Sequence, residues 1–295
     1  MLLAVTCSPY RHHVYLVRRL RYREQRGVCG VTTLNNKIFV VYNELQFIVV
    51  FMSQEPYARL PNISINGLKT PSDIAAGSRC LYVSDPDSKA IWRVKAADSK
   101  VDQWLSGVEA FTVSVTSEEK LVLLVVDDMQ GSWEERNTTW RGEIHVYSPG
   151  AVKETVIKLS RDITDPQHVV MTTRKTFVVC YGSLGHEMNR VCEVDMTGRM
   201  LKAFGSSQGE GVGQLKMPVH VSLDDEERII VADYLNDRVL LLNRQLMLQR
   251  VFVRWSPPQS LDDARCPLRL HYDSHSGRLL VGLLTGHVDI YKVRT

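Results

Sequence analysis

The chain has 295 residues, of which 44% are hydrophobic, and its 36 basic and 33 acidic residues give a net charge of +3. A chain of this length can bury a large core, and so mild a charge does not by itself indicate a nucleic-acid-binding protein. The five-residue apolar start is too short for a signal peptide, and nothing approaches a membrane span. We therefore expect a soluble, cytoplasmic protein with no membrane or DNA partner.

A degenerate six-fold repeat runs through the sequence. Each copy has an apolar residue in a short extended segment, then two further apolar runs with turn residues between them. Four short strands joined by tight turns over about 40–50 residues are typical of a propeller blade. We predict an all-β, six-bladed β-propeller formed by residues 1–295 as one domain, with blades starting near residues 28, 71, 110, 166, 218 and 267. The first apolar positions, called anchors below, are Val31, Ile74, Val113, Val169, Val221 and Leu270.

In chain order, the first feature is a basic stretch over residues 10–26, where six arginines are interleaved with three tyrosines. Such a stretch is either a patch for phosphate backbones or an edge strand whose charges prevent edge-to-edge pairing. We favour a strand over residues 12–23 that closes the ring, because the last blade lacks a fourth strand after Val293. If RNA is bound instead, the candidate residues are Arg18, Arg19, Arg21, Arg23, Arg174 and Lys175.

Six cysteines are spread widely along the chain, and no Cys-x-x-Cys spacing is present. This distribution argues against a zinc ribbon and favours buried free thiols. Glycosylation sequons begin at Asn62 and Asn137, but three-residue patterns of this kind are common by chance. Whether either sequon is used stays open.

Blade three contains the clearest insertion. Residues 128–141 place Trp133 and Trp140 among charged residues that include Arg136. Tryptophan is enriched at the hot spots of protein interfaces, so Trp133, Trp140 and Arg136 form a candidate partner-binding site. The alternative, equally open, is that the two indole rings fold back onto the propeller.

The residues immediately before the anchors are expected to line a central channel, because the innermost strands of a propeller surround its axis. Asp73, His168 and His220 have side chains that bind zinc. No third histidine belongs to this set, however, and Arg269 would repel a cation. We expect a polar channel without a metal or other cofactor, and we keep a metal site at Asp73, His168 and His220 as the alternative. The full set is Gly30, Asp73, Thr112, His168, His220 and Arg269.

Blade five gives the most specific pattern. A glycine-rich stretch at residues 209–215 precedes Pro218-Val-His-Val-Ser-Leu-Asp224, and Ile-Ile-Val-Ala-Asp-Tyr-Leu-Asn-Asp-Arg-Val239 follows. This blade resembles an NHL repeat, and the rest of the chain resembles, in outline, the C-terminal propeller of tripartite-motif (TRIM-NHL) proteins. Asp and Asn side chains hydrogen-bond nearby backbone in bends, so Asp233, Asn236 and Arg238 are expected to be structural.

The resemblance implies a propeller that selects protein or RNA targets for a ubiquitin ligase. These 295 residues include no RING, B-box or coiled coil, and no Gly-x-Ser-x-Gly, His-Glu-x-x-His or P-loop motif, so we expect no enzymatic activity in them. We expect a monomeric, non-catalytic platform for a protein partner. One alternative is an RNA-binding module of TRIM-NHL type. The other is a propeller enzyme of the amidating lyase or lactonase class, since amidating lyases share this type of propeller and hold zinc in its channel.

Overall fold

A computed structural model describes residues 14–22, 27–43, 45–127, 140–185, 188–255 and 265–293. Within these ranges, 24 strands form six antiparallel sheets of four strands each. In every sheet, strands that follow one another along the chain lie side by side, apart from the strand that completes blade six. The prediction of an all-β, six-bladed propeller is confirmed.

The strands of the first three blades follow chain order from the innermost to the outermost. Blade one contains β2 (Val28–Leu34), β3 (Lys37–Tyr42), β4 (Phe47–Met52) and β5 (Arg59–Ser64). Blade two contains β6 (Asp73–Ala76), β7 (Cys80–Asp85), β8 (Ala90–Lys95) and β9 (Val101–Ser106). Blade three contains β10 (Ala110–Val115), β11 (Leu121–Asp127), β12 (Arg141–Tyr147) and β13 (Lys153–Lys158).

The last three blades have the same internal order. Blade four contains β14 (Pro166–Met171), β15 (Phe177–Tyr181), β16 (Arg190–Val194) and β17 (Met200–Phe204). Blade five contains β18 (Pro218–Leu223), β19 (Ile229–Asp233), β20 (Arg238–Leu242) and β21 (Leu248–Arg254). Blade six contains β22 (Pro267–Asp273), β23 (Arg278–Leu283), β24 (His287–Val293) and, outermost, β1 (Val14–Arg21). Single 3-10 turns connect the two middle strands in blades two and five, at Pro86–Ser88 and Tyr234–Asn236.

Blade six is completed by the N-terminal strand. β1 pairs antiparallel with β24, from Val14 opposite Val293 to Arg21 opposite His287. Arg19 adds two hydrogen bonds to the buried Asp289 carboxylate, at 2.6 and 2.7 Å. The expectation that an N-terminal strand closes the ring is therefore confirmed.

The hydrophobic core lies between the blades. β19 and β20 are buried at every position, whereas the outermost strand β17 alternates between exposed and half-buried residues. The middle strands read as continuous apolar runs because both faces of each sheet are covered by neighbouring sheets. All six anchors are at most 4% exposed, which places every one of them in this core.

The propeller has two rims, distinguished by the loops they carry. The upper rim carries the loops between the second and third strands and the connections between blades, such as residues 182–185 and 205–217. The lower rim carries the remaining turns, such as residues 172–176. This assignment follows from the antiparallel order of the strands.

Aspartates at the end of the second strand tie the inter-blade connections to the upper rim. In blade two, Asp85 accepts hydrogen bonds from Lys69 N at 2.8 Å and Thr70 N at 3.1 Å. In blade five, Asp233 accepts one from Lys216 N at 2.7 Å. These contacts fix the connecting loops that form the upper rim.

The structure describes five of the six cysteines, and all five are free thiols, of which Cys180, Cys192 and Cys266 are buried. Among the described residues, the only helices are single turns, and none has the length and apolar composition needed to cross a membrane. Asn62, the first sequon asparagine, is half-buried in β5, and Asn137 lies outside the described residues.

Candidate functional site

Polar residues from different blades meet in the central channel. In five blades the ladder between the first two strands is irregular immediately before the residue that precedes the anchor. A β-bulge of this kind bends the strand and re-aims the next side chain. The bulges re-aim His168 and His220 in this way, whereas the ladder of blade two is regular at Asp73. The three side chains converge, with one potential ligand atom of each within 4.8 Å of the others.

Arg269 and Asp73 hold neighbouring blades together through backbone groups. The Arg269 guanidinium donates to Cys29 O at 2.5 Å and to Ser72 O at 3.0 Å, so it joins blade six to blades one and two. The Asp73 carboxylate accepts from Val113 N at 3.1 Å, which joins blade two to blade three. Arg269 Nε lies 3.8 Å from Asp73 Oδ1, so the two charges also compensate each other.

His168 and His220 form a stacked pair between blades four and five. Their ring centroids are 3.7 Å apart with an interplanar angle of 26°, and His168 Nε2 lies 3.5 Å from Asp73 Oδ2. Burial lowers the pKa of His168 and, more strongly, that of His220, so both imidazoles are neutral near pH 7. Neither Nδ1 atom has a hydrogen-bond partner among the described residues.

His271 is a third channel histidine that the sequence analysis did not include. It follows the anchor Leu270, so it belongs to the next level of the channel rather than to the level of His168 and His220. Its Nε2 lies 2.8 Å from Thr33 Oγ1, which joins blade six to blade one. Its position directly after an anchor is the signal in the sequence that marks it as a channel residue.

Two serines at this next level also join adjacent blades. Ser114 Oγ donates to Val169 O at 3.0 Å, and Ser222 Oγ accepts from Tyr272 N at 3.3 Å. These contacts connect blade three to four and blade five to six. Because the innermost strands have one edge without a strand partner, such side chains satisfy backbone groups that face the channel. The polar channel residues therefore stabilise the closed ring.

The cluster of Asp73, His168 and His220 contains ligand types that suit zinc, namely two neutral imidazoles and a carboxylate. Its geometry suits zinc less well. Stacked rings hold their nitrogen lone pairs in two nearly parallel planes, whereas tetrahedral coordination requires the lone pairs to converge on one point. Asp73 is also engaged by Val113 N and lies close to Arg269. Coordination would require at least one imidazole to turn.

A cavity of about 220 Å³ extends along the channel to the histidine pair. Its other lining residues include His271 and, towards the lower rim, Met171, Leu223 and Tyr272. The histidines are therefore reached from the lower rim.

Acid is expected to destabilise the fold through His271. Burial lowers the pKa of its imidazole from 6.5 to about 4, and its exposed area faces the narrow channel rather than open solvent. Below pH 6.5 the unfolded chain binds a proton that the folded protein excludes until about pH 4, so stability present above pH 6.5 is lost as the pH falls through this window. The loss is up to about 3 kcal/mol. Urea unfolding at several pH values measures this loss of stability. The His271→Gln variant should lack the part of the loss that comes from the His271 imidazole. An equal acid loss in the variant would contradict the assignment.

Among the described residues, the most exposed large apolar side chain lies on the upper rim. Residues 209–213 form a loop in which Val212 is 94% exposed. Arg238 donates from beneath to Glu210 O at 2.9 Å and to Gln214 O at 2.7 Å, and Asn236 donates to Gly209 O at 2.9 Å. The loop that carries Val212 is thus fixed by side chains of the blade below it.

The supporting side chains are themselves anchored by a buried carboxylate. Asp233 Oδ2 accepts from Arg238 Nε at 2.6 Å and from Asn236 Nδ2 at 2.7 Å. The Asp233 and Arg238 side chains are 0% and 5% exposed. All three residues of the blade-five bend therefore have structural contacts, which also position the rim.

Two further exposed apolar residues lie on the neighbouring loop of blade four. Leu184 is 67% exposed and Met188 is 39% exposed. The two loops are joined, because Met188 forms a β-bridge with Ser207. We call Leu184, Met188 and Val212 the apolar surface.

The tryptophan insertion is described only in part. Trp133 and Arg136 lie outside the described residues. Trp140 directly precedes β12 on the upper rim, and its backbone exchanges two hydrogen bonds with Asp165, both at 2.9 Å. Its side chain is half-buried. Trp140 therefore lies on the same rim as the apolar surface.

The arginines proposed for RNA binding near the N-terminus lie on the perimeter. Arg18, Arg19 and Arg21 belong to the outermost strand of blade six, and Arg23 lies outside the described residues. Arg19 is engaged by Asp289, whereas Arg18 and Arg21 are exposed. Only part of this charge is therefore available to a ligand.

The two remaining RNA candidates lie on the lower rim. Arg174 pairs with Glu193 at 3.2 Å, and Lys175 pairs with Glu118 at 3.6 Å. The structure thus separates the five described candidates into two regions rather than joining them into one basic track.

No protein-family model matches the chain, and no curated protein matches it. The similarities are to solved structures. The chain matches the WD40 β-propeller domain of Doa1 with 12% identity and a TM-score of 0.62, covering 95% of this chain and 97% of that one. It matches virginiamycin B lyase from Staphylococcus aureus with 9% identity and a TM-score of 0.64, covering 96% and 100%. Hydrazine synthase of Kuenenia stuttgartiensis matches with 14% identity and a TM-score of 0.58, covering 90% and 75%. At such low identities these likenesses show the propeller fold alone.

Proposed function

We propose that the chain is a non-catalytic platform that binds a protein partner on its upper rim. The observation that supports this function is the presentation of Val212, an apolar side chain that is 94% exposed on a loop held by Arg238 and Asn236. A loop already fixed in one conformation loses little entropy when a partner binds. Leu184 and Met188 extend the apolar contact area.

The channel supports the same proposal. Its polar residues join adjacent blades through hydrogen bonds to backbone groups, as Asp73, Ser114 and Arg269 do. Among the described residues, the two most exposed large apolar side chains, Val212 and Leu184, lie on the upper rim, although Val152 is also exposed on the lower rim. In the setting that the NHL resemblance implies, the partner would be a cytoplasmic protein selected for a ubiquitin ligase, and the ligase itself would be a separate activity.

Val212→Asp is expected to weaken partner binding by at least about tenfold without changing the melting temperature. The charge would be buried unpaired in the interface, whereas the free loop leaves it in water. Partners are first identified by proximity cross-linking of the parent protein, and their affinity for parent and variant is then measured by calorimetry. Val152→Asp is the matched control, because Val152 is 63% exposed on the lower rim.

Equal affinity of the Val212→Asp variant and the parent for every identified partner would remove the apolar surface from the site. Equal loss in both aspartate variants would instead indicate a nonspecific effect of added charge. Trp140→Ala tests whether the interface extends to blade three. Selective binding of pooled RNA at about 0.15 M salt, with a steep salt dependence, would favour the RNA alternative.

A second candidate function, chemistry at a channel metal, is favoured by the convergence of Asp73, His168 and His220 within 4.8 Å. One of the similar structures is a catalytically inactive histidine-to-alanine variant of virginiamycin B lyase with quinupristin. We expect the present protein to purify without stoichiometric zinc, since its histidines are stacked. Elemental analysis that finds about one zinc per chain, lost in a His168→Ala, His220→Ala double variant, would reverse this order of preference.

A further inference from the structure

Blade six carries a group of basic side chains on the upper rim. Arg21, at the end of β1, lies opposite His287 in the antiparallel ladder. Arg265 adjoins the turn that leads to His287, because Leu284 N donates to the neighbouring Cys266 O at 3.1 Å. Arg21, Arg265 and His287, from three segments of the chain, are therefore neighbours on this rim.

The two guanidinium charges are uncompensated in the described part of the chain. Arg21 and Arg265 form no ion pair with another described residue. Asp289, the carboxylate that influences this region, accepts two hydrogen bonds from Arg19 and a third from Tyr291 at 3.3 Å. This carboxylate is therefore already paired with Arg19 and offsets the positive potential at His287 only in part.

His287 experiences the resulting positive potential. Its ring is half-buried, and Nδ1 lies 3.0 Å from Thr285 Oγ1. Burial lowers its pKa, the charges of Arg19, Arg21 and Arg265 lower it further, and Asp289 opposes them. An anion placed among these groups would relieve that repulsion and would favour the imidazolium form.

We propose that Arg21, Arg265 and His287 bind a phosphate group carried by the protein partner as a phosphoserine or phosphothreonine. This inference rests on the proposed function, since it assigns the chemistry of a residue that the upper rim would recognise. A phosphorylated side chain carries up to two negative charges and three strong acceptor oxygens. Guanidinium and imidazolium groups form charge-assisted hydrogen bonds with such oxygens.

The extent of the cluster favours a phosphorylated polypeptide over RNA. Two arginines and one histidine match a single phosphate, whereas RNA binding requires a track of several phosphate contacts. Leu284, adjacent to the cluster, is 42% exposed, and the apolar surface lies on the same rim. This arrangement fits a phosphorylated residue flanked by apolar side chains.

The first test uses inorganic phosphate as the probe. The imidazole resonances of His287 are followed by NMR against pH, in chloride and in phosphate at equal ionic strength. We expect phosphate to raise the pKa of His287, and Arg21→Gln or Arg265→Gln to reduce that rise. Arg18→Gln, on the same strand, is the matched control and should leave it unchanged. A His287 pKa that is equal in the two salts would overturn the proposal.

The second test compares a degenerate phosphoserine peptide library with the same library lacking phosphate, and with pooled RNA. We expect the phosphorylated peptides to bind at least about tenfold more tightly, and each glutamine variant to remove that preference. Equal binding of both libraries, or selective binding of RNA instead, would overturn the proposal. Val212→Asp separates the two claims. If Val212→Asp abolishes partner binding and phosphorylation of the peptides does not change their affinity, only the phosphate site is contradicted. If phosphorylation strengthens binding and Val212→Asp does not weaken it, only the role of the apolar surface is contradicted.

Discussion

Removal of residues 1–23 is expected to abolish cooperative folding of the propeller. β1 forms the outer strand of blade six, and its Leu20 is only 4% exposed. Without it, the fully buried Asp289 loses Arg19. A buried charge left without its partner costs about 3–5 kcal/mol, and the loss of strand pairing adds to this. The sum is comparable to the whole stability of a typical domain, about 5–15 kcal/mol. Urea unfolding and size-exclusion chromatography measure the outcome.

A shorter deletion provides the control for this experiment. Removal of residues 1–13 leaves β1 intact and should preserve the unfolding midpoint of the parent. The unfolding midpoint of Arg19→Ala should lie between those of the two deletion variants, since this substitution removes the ion pair and keeps the strand. A protein lacking residues 1–23 that unfolds like the parent and remains monomeric would show that β1 is dispensable.

Arg238→Ala is expected to destabilise the protein by about 3–5 kcal/mol. Arg238 is 5% exposed, and its removal leaves the fully buried Asp233 carboxylate without its counter-charge. It also removes the hydrogen bonds to Glu210 O and Gln214 O that hold the Val212 loop. Asp233→Ala should destabilise the protein by nearly as much as Arg238→Ala, because it leaves a buried guanidinium unpaired.

Arg199→Ala is the matched control, because Arg199 also pairs with an aspartate but is 76% exposed. It should cost at most about 1 kcal/mol. Urea unfolding of the three variants gives the free energies. Similar values for Arg238→Ala and Arg199→Ala would show that the blade-five network contributes little. Partner binding that persists in Arg238→Ala would show that the loop does not require this support.

The repeat could be predicted from the sequence because each blade must bury both faces of its middle strands. This requirement places apolar runs such as Phe39-Val40-Val41 and residues 229–232 at regular intervals, and it fixes the anchors. The closing strand followed from counting, since blade six otherwise has three strands. These features depend on residues close together in the chain, where strand period and turn chemistry operate directly.

The candidate site could be predicted only in part. The residues before the anchors indicated a polar channel, and Asp73, His168 and His220 do converge. Their stacking and the role of His271 were not predictable, because the bulges that re-aim these side chains leave no simple sequence pattern. The exposure of Val212 on the upper rim was likewise not predictable, because a glycine-rich stretch does not indicate which side chains hold the loop in place.

The sequence by itself therefore determined the strands, their grouping into six blades and the strand that closes the ring. Tertiary structure alone decided which distant residues meet. Arg19 and Asp289 are separated by 270 positions, and Arg269 contacts Cys29 across 240. Ring closure brings such pairs of residues together. Which side chains then contact each other depends on the direction in which each bulge turns them and on the need to pair buried charges. A single sequence contains no local signal for either, because both depend on the assembled blades.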